Sequence, residues 1–241
     1  MLFFTKKANA APDNDVAAQN KKIPFSVVES YKAIRTNLSF LLASAKNNVV
    51  LITSPNSGEG KSTTAINMAI AFSQLGERVL LIDADMRKAS LHKKLKMENG
   101  DGLSNILAGM ADVADCIKRV SDNLFFLSAG RMPPNPSELL GSPEFEKLLN
   151  TVSPAYGCVI IDTPPMNVVS DALVAAPRTA GIVLVVRDRQ TQNDDIKRII
   201  DSAEFGGIKI LGAVINGIKD GSGTGYRSGS RYYKSRYYKN G

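Results

Sequence analysis

Short apolar runs separated by stretches of mixed helical character organise the chain. The runs occupy residues 49–52, 79–82, 124–127, 159–161, 182–186 and 210–215. They are rich in Val, Ile and Leu and continuous rather than alternating, as expected for parallel strands covered on both faces. Between them lie segments such as 63–75, where apolar residues recur at helical spacing until Gly76 stops the pattern. The alternation predicts an α/β doubly wound, mostly parallel sheet flanked by helices. Ahead of the first strand, Val27, Tyr31, Ile34, Leu38 and Leu41 follow a helical period. Ser26 and Glu29 stand three apart, the capping-box spacing, so the expected N-cap of this N-terminal helix is Ser26. Residues 131–150 read as a Pro-rich loop followed by a helix, with Ser142 as its cap and Pro143 at its first position.

The two ends of the chain differ from its body. Residues 1–22 are polar and rich in Ala, Asn and Asp, and read as a flexible leader. Residues 220–241 turn to Gly, Ser, Arg and Tyr with little to bury, and read as a disordered tail. The expected domain is therefore 23–219. Net charge is +7. Arg227, Arg231, Lys234, Arg236 and Lys239, with no acid among them, account for five of these charges, and residues 1–22 account for the other two. The body is left neutral, which argues against a nucleic-acid platform. Cys116 and Cys158 are far apart and outside any CxxC or Cys/His cluster. They read as small buried hydrophobes, with no metal site. No apolar run approaches the ~18 residues a membrane span requires, and no signal-peptide pattern is apparent.

Three motifs carry chemistry. The segment 53-TSPNSGEGKSTTA-65 follows a strand and opens a helix. Gly58 and Gly60 let the backbone approach a phosphate, and the helix behind them directs free N–H groups and its positive dipole end at the anion. Lys61 would reach the β- and γ-phosphates of a nucleotide and Ser62 would hold Mg²⁺. Pro55 stands where the usual pattern starts with Gly. The segment 79-VLLIDADMR-87 ends a buried strand in Asp83 and Asp85, and 158-CVIIDTPP-165 ends another in Asp162. Carboxyl ends of strands are where α/β sheets bind ligands. Three carboxylates near a triphosphate require a cation, and Mg²⁺ fits. Each aspartate taken singly also reads as an N-cap or turn residue.

Together these motifs resemble the Walker A, A′ and B sequences of the bacterial tyrosine kinases, in particular the cytoplasmic CpsD/CapB type of Gram-positive capsule and exopolysaccharide systems. The likeness includes 29-ESYKAIRTNL-38 and 132-MPPNPSELL-140. It implies a P-loop fold, ATP and Mg²⁺, and protein-tyrosine autokinase activity. Ser57, Gly58, Glu59, Gly60, Lys61, Ser62 and Thr63 would contact nucleotide. Asp83 would help activate the tyrosine hydroxyl near Mg²⁺, Asp85 and Asp162 would hold the metal directly or through water, and Arg87 would steady the A′ segment or a phosphate. Asn216 resembles an adenine-reading position, and reads equally as a polar strand terminus. Glu29, Lys32 and Arg35 match a motif that builds a ring-shaped homo-oligomer, with an octamer as the candidate size, although Glu29 also suits the capping box. The phosphoacceptors would be Tyr226, Tyr232, Tyr233, Tyr237 and Tyr238. The implied partners are a membrane adaptor of polysaccharide co-polymerase type and a cognate tyrosine phosphatase, with the kinase cytoplasmic and recruited to the inner face of the plasma membrane. The rival reading is a partition or septum-positioning ATPase of the ParA/MinD kind. Those proteins carry a second P-loop lysine where this chain has Asn56.

Overall fold

The structure is a computed structural model describing residues 24–218. The expected leader, the expected tail and its five tyrosines lie outside the described residues.

The chain opens with α1 (Phe25–Ala43) and continues through β1 (Val49–Thr53), α2 (Lys61–Ser73), β2 (Val79–Asp83), α3 (Leu91–Lys94), α4 (Leu103–Leu107), α5 (Val113–Cys116), β3 (Ile117–Arg119) and β4 (Leu124–Leu127). It continues through α6 (Pro136–Gly141), α7 (Pro143–Val152), β5 (Cys158–Asp162), α8 (Asp171–Ala175), β6 (Gly181–Arg187), α9 (Asn193–Phe205) and β7 (Ile210–Asn216). The strands form one seven-stranded sheet in the order β3-β4-β2-β5-β1-β6-β7. All neighbours are parallel except β3 and β4. Strands β1, β2 and β5 are buried along their whole length, so their alternate side chains feed two cores. Val49 and Leu51 face a cluster with Phe145, Leu148 and Val152 of α7. Val50 and Ile52 face another, with Met68 and Phe72 of α2 and Leu38 of α1. Both cysteines are free and buried, and burial pushes the Cys158 thiol up to about 12. No helix among the described residues is long and apolar enough to cross a membrane.

Several local expectations change. Helix α1 starts one residue before Ser26: Pro24 is the N-cap, and its carbonyl accepts from Val27 and Val28 N–H at 3.0 and 3.2 Å. Ser26 therefore lies inside the first turn and caps nothing. Glu29 bonds Lys32 instead, Nζ to Oε1 at 2.7 Å. The buried stripe of α1 runs through Tyr31, Ile34, Leu38 and Leu42, leaving Val27 39% exposed, because the helix docks on α2 along that line. The Pro-rich stretch contains α6, begun by Pro136 in the first turn, where its missing N–H costs no intrahelical bond. The Ser142 cap holds as expected, its hydroxyl accepting from Phe145 N–H. The edge strand β3, with sequence IKR, carries no legible strand pattern.

Candidate active site

Strand order brings the three motifs together. β5 lies between β1 and β2, and Asp83 and Asp162 are paired in register across adjacent strands. Beyond β1 the P-loop turns through Gly58 and Gly60, both with positive φ, at +84° and +98°. A Cβ on Gly60 would stand 2.0 Å from Asn216 Nδ2, so glycine is required there by both conformation and space. Asn216 donates Nδ2–H to the Glu59 carbonyl at 2.9 Å. The side chain expected beside adenine therefore grips the P-loop backbone. Glu59 itself is buried: one carboxylate oxygen accepts Asn56 N–H at 3.0 Å and the other accepts the Thr191 hydroxyl at 2.6 Å. Asn56 donates Nδ2–H to Asp195 at 2.7 Å, tying the loop to the first turn of α9.

Lys61 opens α2 with its ammonium 3.1 Å from Asp85 Oδ2, 3.5 Å from Asp162 Oδ1 and 3.2 Å from Ser62 Oγ. Burial works against its charge, but Asp162 and Asp85 outweigh this and raise its pKa. Asp162 is fully buried, and neither of its oxygens has a hydrogen-bond partner. Burial raises its pKa to about 6, against the opposing pull of Lys61 and Ser62. Asp83 is also fully buried, and burial followed by the Asp162 charge raises it to about 7. It is held by backbone N–H groups: Oδ1 accepts from Asp85 at 3.2 Å, and Oδ2 accepts from Ser90 and Leu91 at 3.1 and 3.0 Å. Asp83 thus anchors the start of α3, while Asp85, beyond the strand end, reaches Lys61.

Among the described residues no group of three or more His, Cys, Asp or Glu is arranged to hold a metal ion. The expected three-aspartate cage is therefore not assembled in this arrangement, in which the Lys61 ammonium supplies the positive charge between Asp85 and Asp162. Asp162 nonetheless fits a metal, since it is a fully buried carboxylate whose oxygens accept no hydrogen bond and whose one close charge partner among the described residues is Lys61, at 3.5 Å.

Arg87 lies away from Lys61. Its Nε and NH2 meet the two carboxylate oxygens of the fully buried Asp171 at 3.1 Å each, and NH2 also donates to Ser137 Oγ at 3.1 Å. Of its two expected roles, this geometry fits steadying the A′ segment. Asp171 and Ser137 escaped the sequence reading. Asp171 lies 84 positions from Arg87, and the only pointer to Ser137 was its place in 132-MPPNPSELL-140. On α1, Glu29 and Lys32 pair on the surface, while Arg35 donates to the Ala71 carbonyl of α2 at 2.8 Å.

This fold and site define a P-loop nucleotide-binding α/β domain, and a sequence family described as an AAA domain matches residues 47–202. The tyrosine-protein kinase YwqD of Bacillus subtilis (strain 168) is 38% identical over 192 residues, which are 79% of this chain and 81% of YwqD. The tyrosine-protein kinase wzc of Salmonella typhi is 37% identical over 211 residues, 87% of this chain but 29% of wzc, so the chain spans under a third of that relative. The kinase domain of the Escherichia coli tyrosine kinase ETK matches with a TM-score of 0.78 at 33% identity, over 84% of this chain and 80% of that one. The chain belongs to the bacterial tyrosine kinases.

Proposed function

We propose that this chain is an ATP-dependent protein-tyrosine autokinase that phosphorylates Tyr226, Tyr232, Tyr233, Tyr237 and Tyr238 of a neighbouring copy. The observation that carries the reading is the Lys61 ammonium held at the P-loop between Asp85 and Asp162, with the Asp162 oxygens otherwise unbonded. Such a centre supplies positive charge where a phosphoryl group is handled, and carboxylates that call for a metal once that charge turns to phosphate. Ser57, Gly58, Glu59, Gly60 and Thr63 form the rest of the nucleotide cradle, and Asn216 fixes its shape. Ser62, Asp85 and Asp162 would hold Mg²⁺, which when bound neutralises phosphate charge. Asp83, a buried carboxylate whose pKa is raised by burial and then by the Asp162 charge, is the group the family resemblance gives as the base. It takes the proton of the tyrosine hydroxyl as the tyrosine oxygen bonds to the γ-phosphorus. The bond from that phosphorus to the β–γ bridging oxygen breaks, and ADP leaves. Arg87, fixed by Asp171 and Ser137, keeps the A′ segment in place.

Phosphorylation would regulate capsular or exopolysaccharide synthesis and export. The kinase would work as a cytoplasmic ring through Glu29, Lys32 and Arg35, brought to the inner face of the plasma membrane by an adaptor and reset by a cognate tyrosine phosphatase. The family resemblance supports these partners. The test mixes a Lys61→Met protein with an intact tail and an otherwise wild-type protein lacking residues 226–241, in Mg·ATP. Phosphate on the intact tail is expected. An unlabelled tail at every concentration, while wild type modifies itself at a concentration-independent rate, would place the transfer within one chain.

A further inference from the structure

Beside the active site lies a dense group of cations, of which only Arg87 has a part in the chemistry above. Residues 87-RKASLHKKLK-96 contain Arg87, Lys88, Lys93, Lys94 and Lys96, and no acid occurs between Met86 and Met97. Arg87 is engaged by Asp171. The four lysines are exposed, and among the described residues none forms an ion pair. They belong to α3 and its flanks, which Leu91 and Leu95 seat on the core and the Asp83 carboxylate anchors at the N-terminus. Lys94 Nζ lies 3.4 Å from Thr63 Oγ1, in the first turn of α2 behind the P-loop. The face is therefore held against the nucleotide site.

A structural explanation covers only part of this. Cations suit the negative end of a helix, which accounts for Lys93 and Lys94. Lys88 precedes the helix. Lys96 has φ +55°, at the left-handed position that ends α3. Lys96 N–H bonds the Lys93 carbonyl at 3.2 Å and Met97 N–H bonds the His92 carbonyl at 2.8 Å, the paired closure in which glycine or asparagine relieves strain. The lysine there holds a charge at a position its backbone disfavours.

We propose that Lys88, Lys93, Lys94 and Lys96 form a docking face for residues 226–241 once they bear phosphotyrosine, keeping a partly modified tail beside the site for further rounds. Charge complementarity selects this occupant. Unmodified, residues 226–241 carry five cations and no acid, and the lysine face repels them. Each phosphate adds about −1.5 to −2 and acceptor oxygens suited to ammonium groups, so a phosphorylated Tyr232–Tyr233 pair outweighs the two cations of its own repeat, Arg231 and Lys234, and inverts the local sign. The five-residue repeat 231-RYYKS-235 and 236-RYYKN-240 would let one phosphorylated pair dock while the next pair is presented. A membrane surface is the competing occupant, and it enters the test as an outcome of its own.

This rests on the reading of residues 226–241 as the phosphoacceptor, and the test keeps the two separable. Full-length, dephosphorylated protein without ATP is titrated with a synthetic 226–241 peptide phosphorylated on Tyr232 and Tyr233, with the unmodified peptide, with inorganic phosphate and with phosphatidylglycerol vesicles. The phosphopeptide is expected to bind about tenfold or more tightly than the unmodified one, and to weaken as salt rises. Lys96→Gly should cut that affinity severalfold without lowering Tm, because glycine relieves the backbone. In Mg·ATP, Lys93→Gln with Lys96→Gly should add the first phosphate at the wild-type rate and stall at low phosphate number. Equal affinity of wild type and variants for the phosphopeptide would overturn the proposal, as would vesicles that bind and displace it. A chain that binds the phosphopeptide but never phosphorylates its own tail would overturn the reading of function and leave the docking face standing.

Discussion

The centre formed by Lys61, Asp83, Asp85 and Asp162 and the outer face of α1 both carry charges, under opposite conditions. At the centre, Asp83 and Asp162 are fully buried, and Lys61 alone stands between Asp162 and Asp85. On α1, Glu29 and Lys32 pair across one turn with 45% and 43% of their side chains exposed, and Arg35 is satisfied by a backbone carbonyl. Buried charges shift pKa values, depend on the few partners they have and make each neighbour matter. Exposed, self-paired charges contribute ~0–1 kcal/mol and leave a subunit almost indifferent to their loss. The difference separates charges strained by burial from charges already satisfied at the surface.

The largest effects are expected at the centre. Asp85→Asn and Asp162→Asn should each lower tail phosphorylation by about two orders of magnitude, and the double variant should fall far short of the product, because the residues act as a unit. Phosphotyrosine appearance over time checks this, and a near-silent Asp85→Asn would reduce that residue to a turn former. Asp171→Asn comes next. It removes the buried partner of Arg87 and should cost ~1–3 kcal/mol of stability in urea unfolding, together with a smaller loss of activity. Unchanged stability and rate would detach the 132–140 segment from the A′ motif.

Much of this was legible in the sequence because it is local. The P-loop declares itself within nine residues, and an acid closing a Val/Ile/Leu run marks the A′ and B strands wherever they pair. The Arg87–Asp171–Ser137 contact was not legible, since it joins the segment after β2 to the first turns of α6 and α8, which meet only after the sheet has formed. At α1, Ser26 and Glu29 satisfied a local rule, but the N-cap fell two residues earlier, at Pro24, and left Glu29 to Lys32. For Asn216 the sequence offered a base contact or a bare strand end, and the structure adds a grip on the P-loop that follows from β7 lying beside β6, not from any motif.

A smaller effect is a pH dependence of stability. Asp83 and Asp162 have folded pKa values raised to about 7 and about 6 from an ordinary value of 3.8. Their contribution is fully present below that ordinary value and is lost as pH rises through 6 and 7. Between pH 5.5 and 8, metal-free wild type should lose more Tm than Asp162→Asn does. Parallel curves would mean that Asp162 is not strained by its burial. The smallest effect on the isolated subunit is expected from Lys32→Glu, which touches only the exposed pair with Glu29. Tm should shift by only a degree or two, near the ~0.5 kcal/mol typical of exposed pairs. Size-exclusion chromatography should nevertheless show smaller species than wild type. An unchanged elution volume would remove α1 from the oligomer contact.

The central claim is that the Lys61 centre moves phosphate from ATP to tyrosine, and the most direct measurement is mass-spectrometric mapping of purified protein incubated with Mg·ATP, wild type beside Lys61→Met. Wild type should carry phosphate on tyrosines within 226–238, and Lys61→Met, folded as judged by circular dichroism, should carry none. Phosphotyrosine at wild-type levels in Lys61→Met, or ATP hydrolysis by wild type with no phosphate on any tyrosine, would contradict it.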